Sequence, residues 1–347
     1  MHLRKSFLAL LLLGTSAIAP TAFAKFVALP EKAPVPADNP MTKEKVELGK
    51  MLFFDPRLSM DGTVSCNSCH NVMFHGGDGR PVGAGIHGQR GGRGSPTVWN
   101  AAFHTVQVWD GRAASLEEQA KGPLVNGVEM GMSSHDFVVE RLNKIPGYVS
   151  AFKKAFPKEK NPITIDSMAR AIASYERTLI TPNSPFDKYM RGNKKAMTAQ
   201  QVRGMKLVDE IGCTSCHTGV NFAGEEAMGV GNYQPFPQIP GSKYDKMYDL
   251  LSDTGRFEVT KNPEDKNKWR VPTWRNVAIN APYFHNGKVK TLDEAVRVMG
   301  KTQLDMDLTD TQVQDIVAFL NALTGEFPKQ TMPMLPHTAN ETVTPEP

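Results

Sequence analysis

The chain has 347 residues, of which 40% are hydrophobic and 22% charged, and its formal net charge is only +4. A balance this close to neutral offers no strongly basic surface, so nucleic acid is not indicated as a partner. The length exceeds what one hydrophobic core usually supports, which predicts two domains.

The first 24 residues have the features of a secretory signal peptide. Arg4 and Lys5 precede an apolar run over residues 7–13, and small residues at Ala22 and Ala24 offer a cleavage site. This run is short for a membrane helix, which needs about 20 apolar residues. We therefore expect export to the periplasm, with no membrane span after the signal is removed. The alternatives are an uncleaved anchor and a location on the cell exterior.

Two Cys-X-X-Cys-His motifs contain all four cysteines of the chain. The first consists of Cys66, Cys69 and His70, and the second of Cys213, Cys216 and His217. In this pattern two thiols attach a haem covalently and the adjacent histidine binds its iron. Zinc-binding cysteine pairs usually lie about 15 to 20 residues apart, whereas these motifs are 147 positions apart. Neither zinc nor a disulfide requires the histidine, so the sequence predicts two c-type haems.

Seven residues of the first half recur 176 positions later. They are Pro96, Thr97, Asn100, Ala102, Gly111, Leu116 and Glu118, matched by Pro272, Thr273, Asn276, Ala278, Gly287, Leu292 and Glu294. The pattern indicates an internal duplication, which predicts two cytochrome c-like haem domains over residues 25–190 and 191–347. The second half has an insertion at about 223–268, rich in Gly, Pro and Tyr, which reads as loops that could shape an interface between the halves.

The remaining periodicity is helical, so we predict a mainly α protein with few short strands. Apolar stripes predict helices over residues 165–179 and from 313 to a stop at Gly325. Further helices are expected from about Lys43 and after the possible capping residues Ser115, Thr198 and Thr291, whose box partners are Glu118, Gln201 and Glu294. The proline-containing tail after Phe327 is expected to be extended or loosely packed.

Histidine and methionine are the usual ligands for the second face of a haem iron, and methionine raises the reduction potential whereas a second histidine lowers it. Met299, at the predicted end of the helix that starts near Thr291, is where a cytochrome c ligand is expected, although core packing is the alternative. The repeat-equivalent position of the first half is Pro123, which cannot bind iron. The two haems are therefore expected to differ, with His217 and Met299 on one iron.

Two side chains are candidates for the open face of the first iron. His87 lies in a segment, 76–94, that contains nine glycines, so a mobile ligand is one reading and a solvated histidine the other. Met130 has a local context like that of Met299, and permanent binding there would leave only an electron carrier. The neighbouring Glu129 favours an enzyme, because a carboxyl group beside an open haem could move protons during peroxide cleavage.

Seven short segments carry a resemblance to a known family. They are residues 52–58, the first haem motif, and residues 95–97, 109–112, 118–123, 128–130 and 281–285. Together they closely resemble the bacterial dihaem cytochrome c peroxidases, over a stretch from about Thr42 to Leu335. The resemblance implies reduction of hydrogen peroxide to water with electrons from a small cytochrome c or copper protein (cupredoxin), and it suggests a homodimer.

The resemblance also implies roles for individual residues. His87 matches a distal ligand that leaves the first iron when the other haem is reduced, although Ile86 shifts the loop by one residue. Glu129 matches the acid and base at the peroxide, Gln119 lines the same pocket, and Trp109 bridges the haems. Ordinary core packing is the alternative for Trp109.

The resemblance further implies calcium between the two domains, but the expected asparagine and threonine are replaced by Gly94 and Asn280, so backbone carbonyl oxygens and water would have to bind the ion. Two alternatives stay open: a dihaem electron carrier, and a related haem enzyme that oxidises tryptophans of a partner protein. The latter family carries tyrosine in place of the distal methionine, so Met299 argues against it.

The other histidines and arginines have less specific expectations. His285 is expected to form hydrogen bonds near the second haem or the interface, and His75, His104 and His135 are expected at the surface or in packing. Arg80, Arg90 and Arg93 are expected to be solvated, with haem propionates as the alternative partners.

Overall fold

The computed structural model describes residues 25–339 together with 342 and 343, so the predicted signal peptide lies outside the described residues. Helices and turns dominate this part of the chain, and its sheet consists of two short antiparallel strands. The prediction of a mainly α fold with few strands is confirmed. Among the helices of the described residues, none has the length and apolar character that crossing a membrane requires.

The described residues form the following elements. The helices are α1 Lys43–Phe54, α2 Cys66–Cys69, α3 Leu116–Val125, α4 His135–Asn143, α5 Pro146–Ala155, α6 Ile165–Glu176, α7 Pro185–Met190, α8 Ala199–Glu210, α9 Glu225–Met228, α10 Lys243–Met247, α11 Phe257–Thr260, α12 Leu292–Leu304 and α13 Asp310–Asn321. The strands are β1 Tyr233–Pro235 and β2 Lys268–Arg270. The helix α13 ends four residues before the predicted stop at Gly325.

The expected helix starts are present. Ser115, Thr198 and Thr291 each accept the backbone N–H of the residue three positions on, which satisfies one exposed donor of the helix. The reciprocal half of the box forms at Thr198 alone of these three. At the other two the carboxylates have different partners: Glu118 binds Lys121, and Glu294 accepts from a tyrosine hydroxyl.

The helices enclose two main hydrophobic cores. The N-terminal core is built from residues between 48 and 179, and the C-terminal core from residues between 186 and 323. Phe186 of α7 lies in the C-terminal core, although it precedes the predicted boundary near Met190. A third, smaller cluster around Tyr283 and Val298 contacts Trp109 of the first half and Met299 of the second.

Each core contains a pair of helices that touch at a glycine. In the N-terminal core α1 packs on α6, and a Cβ atom at Gly49 would lie 1.8 Å from the carbonyl oxygen of Ala171. In the C-terminal core α8 packs on α13, and a Cβ atom at Gly204 would lie 1.9 Å from the carbonyl oxygen of Asp315. Only glycine permits such a close approach of the two backbones.

Matching turns from the two halves meet at one threonine. Asn100 and Asn276 have left-handed backbones, with φ of 63° and 61°, and each begins a short 3-10 turn. Their side-chain amides donate to the same hydroxyl oxygen of Thr181, at 2.8 and 2.9 Å. Thr181 therefore fastens equivalent points of the two halves to each other.

The insertion of the second half is more ordered than a loop excursion. It carries α9, α10, α11 and strand β1, which pairs with β2 just beyond it. It also contacts the first half: Glu225 accepts from the backbone of Thr105 at 2.7 Å, and Arg256 donates to the carbonyl of Asp110 at 3.0 Å.

The segment over residues 327–336, here called the C-terminal strap, crosses the N-terminal core. The ring of Phe327 meets Trp99 edge-on, with centroids 4.9 Å apart. Tyr175 donates to Gln330 at 3.0 Å, and a guanidinium nitrogen of Arg57 donates to the carbonyl oxygen of Pro336 at 2.9 Å. The tail is therefore extended, as one of the two expectations had it, and these contacts fasten it along the core of the other half.

Candidate haem centres and active site

The first haem motif forms a single helical turn followed by its histidine. Ser65 begins α2, and His70 lies directly beyond it. The Nδ1 atom of His70 is 2.9 Å from the carbonyl oxygen of Pro96. Because a carbonyl only accepts, Nδ1 must carry the proton, which leaves Nε2 as the unprotonated nitrogen for iron.

The second motif repeats this arrangement. His217 Nδ1 is 2.9 Å from the carbonyl oxygen of Phe222, and the imidazole stacks on Trp274 with centroids 4.3 Å apart. Burial lowers the pKa of His217 to about 4, so the ring is neutral, as an iron ligand must be. In both motifs the fold fixes the tautomer and the orientation of the imidazole.

A cavity of about 520 Å³ opens above the second motif, within the size range of cofactor pockets. Cys213, Cys216, His217 and Met299 all lie in its walls. Aromatic side chains line much of the remainder, as an apolar macrocycle requires: Trp109, Trp269, Trp274, Tyr283 and Phe284. The donor set and the cavity fit a haem, which Cys213, Cys216, His217 and Met299 would hold.

The rival readings of the cysteines find no support in the structure. All four thiols are free, so neither pair forms a disulfide. Burial raises the pKa of Cys66 to about 12 and that of Cys213 to about 11, so neither is an activated thiolate. The described residues contain no group of three His, Cys, Asp or Glu side chains that could hold a metal ion on their own.

Met299 lies within α12, which continues to Leu304, so its prediction as a helix-terminal residue is wrong. Gly300 permits contact with Leu308, whose side chain would lie 2.9 Å from a Cβ atom there, and the helix ends instead at Asp305 in a left-handed conformation. Met299 and His217 line the same cavity, and iron binding by Met299 stays a prediction.

Glu129 lies in the turn that follows α3. Asn126 donates to its carboxylate at 2.9 Å, and the backbone N–H of Ile86 donates to its carbonyl oxygen at 2.9 Å. Burial raises the pKa of Glu129, while the charge of Arg112 opposes the shift. A carboxyl group with a raised pKa binds a proton more readily than an ordinary glutamate, which suits a group that accepts a proton and returns it.

Glu129 also lies close to the first haem motif. The Cys69 Sγ atom lies 3.8 Å from the carbonyl oxygen of Ala84, and Ile86, two residues further along, donates its backbone N–H to Glu129. Burial also raises the pKa of the Cys69 thiol, and the charges of Asp78 and Glu129 add to that effect. Gln119 is partly buried on α3, the helix whose C-terminal end carries the Glu129 turn. The structure therefore brings the predicted proton-transfer residue together with the first motif.

His87 follows the residue that binds the Glu129 backbone, but its side chain is 59% exposed. Its Nδ1 atom is 3.8 Å from Asp61, and its backbone is left-handed, with φ of 54°. The structure places the imidazole mostly in solvent, so its binding to iron stays a prediction. Met130, in contrast, is buried in the N-terminal core, which favours packing over iron binding.

Trp109 reaches from the first half into the cluster that surrounds the second haem cavity. Its indole Nε1 donates to the carbonyl oxygen of Gly94 at 2.8 Å, and its own carbonyl accepts from the backbone of Arg270 at 3.0 Å. The ring is therefore held in one orientation, between elements of both halves.

Several buried charged groups at this junction were not identified from the sequence. Arg93, expected to be solvated, is only 17% exposed and binds Asp110 and Asp253, so that expectation is wrong. His104 is buried beside Glu225 and Arg270, whose guanidinium lies 2.8 Å from His104 Nδ1. No local motif signals these groups, because partners up to 166 positions apart create them.

Gly94 and Asn280, at the expected calcium site, do not provide a set of side-chain ligands for the ion. Gly94 contributes none, and its carbonyl already accepts from Trp109. The nearby carboxylates of Asp110 and Asp253 are both bound by Arg93. A calcium ion here stays a prediction, and it would be held by backbone oxygens and water.

Comparison with known proteins supports the geometric interpretation. Residues 43–195 match the family model described as di-haem cytochrome c peroxidase. The chain is 46% identical to the cytochrome c551 peroxidase of Pseudomonas aeruginosa, over 94% of this chain and 91% of that protein. It is 40% identical to the cytochrome c551 peroxidase of Nitrosomonas europaea, over 89% and 88% of the two chains.

A solved structure shares the architecture as well. The crystal structure of a MauG-like protein associated with microbial copper homeostasis superposes with a TM-score of 0.73 at 30% identity, covering 86% of this chain and 95% of the other. The similarity thus extends well beyond the family model's range, into the second haem motif and α12. The chain belongs to the di-haem cytochrome c peroxidase family.

Proposed function

We propose that this protein is a cytochrome c peroxidase, which reduces hydrogen peroxide to two waters with two electrons and two protons. The electrons come from a small cytochrome c or a cupredoxin. The observation that carries the proposal is the asymmetry of the two sites. Met299 shares a cavity with His217, whereas His87, the candidate ligand of the first site, is mostly exposed and Glu129 is a partly buried carboxyl group.

Covalently bound haems would supply iron centres that exchange single electrons, with methionine ligation favouring a higher reduction potential than histidine ligation. In this chain Cys66, Cys69 and His70 would hold one group. Cys213, Cys216, His217 and Met299 would hold the other. The fixed Nδ1 hydrogen bonds of both histidines orient them for this task.

Glu129 is the proton-transfer residue of the proposal. Its carboxylate accepts one proton from the bound peroxide and returns it to the departing oxygen, so that water leaves in place of hydroxide. Asn126 holds one carboxylate oxygen, and burial keeps the proton affinity high. Gln119, on the preceding helix, would help to orient the peroxide, and the exposed His87 would leave room for it to enter.

Trp109 is the proposed bridge for electrons between the two sites. It lines the cavity that contains Met299, and its indole is hydrogen-bonded to the glycine-rich loop that follows the first haem motif. Ordinary core packing would not require the ring to lie between the two halves.

We further propose that the two halves arose by internal duplication, with domains dividing near Met190. Three observations support this: the glycine helix contacts at Gly49 and Gly204, the paired asparagine turns on Thr181, and two equivalent isolated bridges. These bridges join Gln107 with Ala113 and Tyr283 with Val289, again 176 positions apart.

Location and assembly belong to the same proposal. Attachment of haem to the four cysteines would suit export to the periplasm after removal of residues 1–24, because the thiols there escape the reducing cytosol. A homodimer and a calcium ion between the domains are expected from the resemblance. Sedimentation analysis and metal analysis of the holoprotein test these two expectations directly.

Two other functions remain as competing hypotheses: a dihaem electron carrier, and an enzyme that oxidises tryptophans of a partner protein. The carrier needs a sixth ligand on both irons, but Met130 is in the core and His87 is mostly exposed. The tryptophan-oxidising enzyme is disfavoured because Met299 lines the cavity above the second motif, where that family carries a tyrosine.

The half-reduced holoprotein, with one electron per chain, tests the proposal. We expect one five-coordinate, high-spin haem and rapid peroxide turnover when donor is supplied. An electron carrier would show two low-spin haems and no turnover. Two six-coordinate irons in every redox state, together with inertness towards peroxide, would refute the peroxidase proposal.

A further inference from the structure

At the junction of the halves, the neighbouring residues Arg93 and Gly94 contact the neighbouring residues Trp109 and Asp110. The Trp109 indole donates to the carbonyl oxygen of Gly94 at 2.8 Å. Beside it, the guanidinium of Arg93 donates to the carboxylate of Asp110. Arg93 and Gly94 therefore bind Asp110 and Trp109, respectively.

Arg93 is also held from the second half. Its Nε and Nη2 atoms donate to the two carboxylate oxygens of Asp253 at 2.7 and 2.8 Å. Its guanidinium lies 4.8 Å from the ring centroid of Trp269, which in turn stacks on His285. The next residue, Gly94, donates its N–H to the carbonyl oxygen of His285 at 2.7 Å.

Two guanidinium groups neutralise the carboxylates at this point: Arg112 donates to Asp110 at 3.1 Å, and Arg93 binds both Asp110 and Asp253, so only Arg93 links the two carboxylates. The side chain of Asp110 is 3% exposed and that of Asp253 is 24% exposed, so water screens their repulsion poorly. Burial opposes ionisation of Asp253, but the hydrogen bonds from Arg93 lower its pKa below the ordinary range. A planar guanidinium suits two carboxylates because its donors point in fixed, divergent directions.

We propose that Arg93 is a positioning residue for electron transfer between the haems: it fixes the Trp109 ring by tying Asp110 of the first half to Asp253 of the second. The proposal rests on the proposed role of Trp109 as the bridge. Since electron tunnelling weakens steeply with distance, loosening this contact slows transfer between the sites. It leaves haem attachment and the iron ligands unchanged, because Arg93 touches none of them.

The test measures how fast an electron placed on the second haem reaches the first, after rapid one-electron reduction without peroxide. We expect Arg93→Gln to slow this step roughly tenfold or more, since small misplacements of reacting groups have large kinetic effects. Arg93→Lys should be intermediate, because an ammonium lacks the rigid fork. The spectra and reduction potentials of both haems should match those of the unmodified protein.

Arg203→Gln is the matched control. Arg203 also binds one aspartate, Asp315, through two nitrogen atoms, both at 3.1 Å, but that pair joins α8 and α13 within a single core. We expect its transfer rate to be unchanged. If Arg93→Gln fails to fold, Asp253→Asn removes the same link from the other side and should slow transfer too.

Trp109→Phe separates the two proposals. If it leaves the transfer rate unchanged, the bridge role of Trp109 fails and the role of Arg93 fails with it. If it slows transfer but Arg93→Gln does not, only the Arg93 proposal is overturned.

Two further measurements test how Arg93 acts. In the Trp109→Phe background, Arg93→Gln should add little further slowing, and a fully additive effect would mean that Arg93 acts elsewhere. Chelation with EDTA tests the competing cation. If chelation alone removes fast transfer while Arg93→Gln retains it, a divalent ion holds the junction and the proposal is wrong.

Discussion

Individual carboxyl groups show how burial sets chemistry in this protein. Glu129 and Glu118 are separated by 11 positions, yet one is partly buried with a raised pKa and the other lies exposed beside Lys121. Glu176 lies deeper still, with one carboxylate oxygen lacking a hydrogen-bond partner. The same side chain therefore serves proton transfer, surface pairing or internal burial according to its surroundings.

The change Glu129→Gln should reduce peroxide turnover by about 10² to 10⁴-fold, the usual contribution of a general acid and base. Glutamine keeps the shape and the Asn126 contact but cannot exchange a proton. Steady-state turnover with a reduced donor measures the loss, and absorption spectra check that both haems remain attached. Glu118→Gln is the control, and equal losses in the two variants would contradict the role of Glu129.

The pH profile gives an independent check on Glu129. The carboxylate must be ionised to accept the peroxide proton, and burial raises its pKa. The kcat/KM for peroxide should therefore fall as the pH drops through a value above the ordinary pKa range of glutamate. An acidic limb at the ordinary pKa, or none at all, would argue against a buried base.

Glu176 should make stability depend on pH. Burial raises its pKa to about 8 in the folded protein, whereas an unfolded chain has about 4.3. Between these values the folded state holds the extra proton, so this stabilising contribution is full at low pH and is lost as the pH rises towards 8. Thermal unfolding of the protein and of Glu176→Gln over this range should show a difference that grows with pH. Parallel curves would contradict the assignment.

At the scale of helices, the two glycine contacts decide how closely each pair of long helices can approach. Apolar stripes in the sequence predict which faces are buried, but they do not indicate that α1 and α6 touch through their backbones at Gly49. The match with Gly204 in α8 becomes visible only when both helix pairs are compared in three dimensions.

The change Gly49→Ala should destabilise the protein by about 1–3 kcal/mol, because the added methyl group collides with the carbonyl of Ala171 and forces α1 away from α6. Denaturant unfolding measures the effect. Gly122→Ala, in α3, has no atom within 4 Å of its new Cβ. It should be neutral or stabilising by up to about 1 kcal/mol, as helix propensity predicts. Similar losses in both variants would exclude the steric explanation.

At the scale of the whole molecule, contacts across the junction hold the two halves together, and a segment of each half also packs on the core of the other. The strap of the second half lies on the N-terminal core, and Phe26, near the start of the described residues, packs on Phe186, Phe222 and Phe319 of the C-terminal core. Each core is thus completed by residues distant in sequence. This arrangement suits a protein that must keep two redox sites at a constant separation.

Removing residues 327–347 should loosen the N-terminal core selectively. The truncation uncovers Trp99, removes the hydrogen bond from Tyr175 to Gln330 and removes the one from Arg57 to Pro336. Hydrogen exchange should accelerate in α1 and α6 but not in α8 and α13, which serve as the internal control. Uniform acceleration in all four helices would show that the strap does not act locally.

The sequence by itself determined the chemistry that local spacing encodes: two c-type haem motifs, the helix starts and the mainly α fold. A Cys-X-X-Cys-His motif spans five residues, and a helix-capping hydroxyl binds the amide three positions further on. Both features act within about one turn of the chain, so they can be recognised without knowing the fold. Met299 lines the same cavity as His217, but its expected position at the end of a helix was wrong, because Gly300 packs against Leu308 and does not end α12.

Only the tertiary structure decided what surrounds these motifs. The burial that raises the pKa of Glu129, the solvent exposure of His87 and the ion pairs of Arg93 all depend on segments far apart in the chain. The glycine-rich loop looked solvated from its composition, yet two carboxylates from opposite halves converge on its arginine. Burial and electrostatics are properties of the packed molecule, since they depend on the distances between groups in space and not on their spacing along the chain.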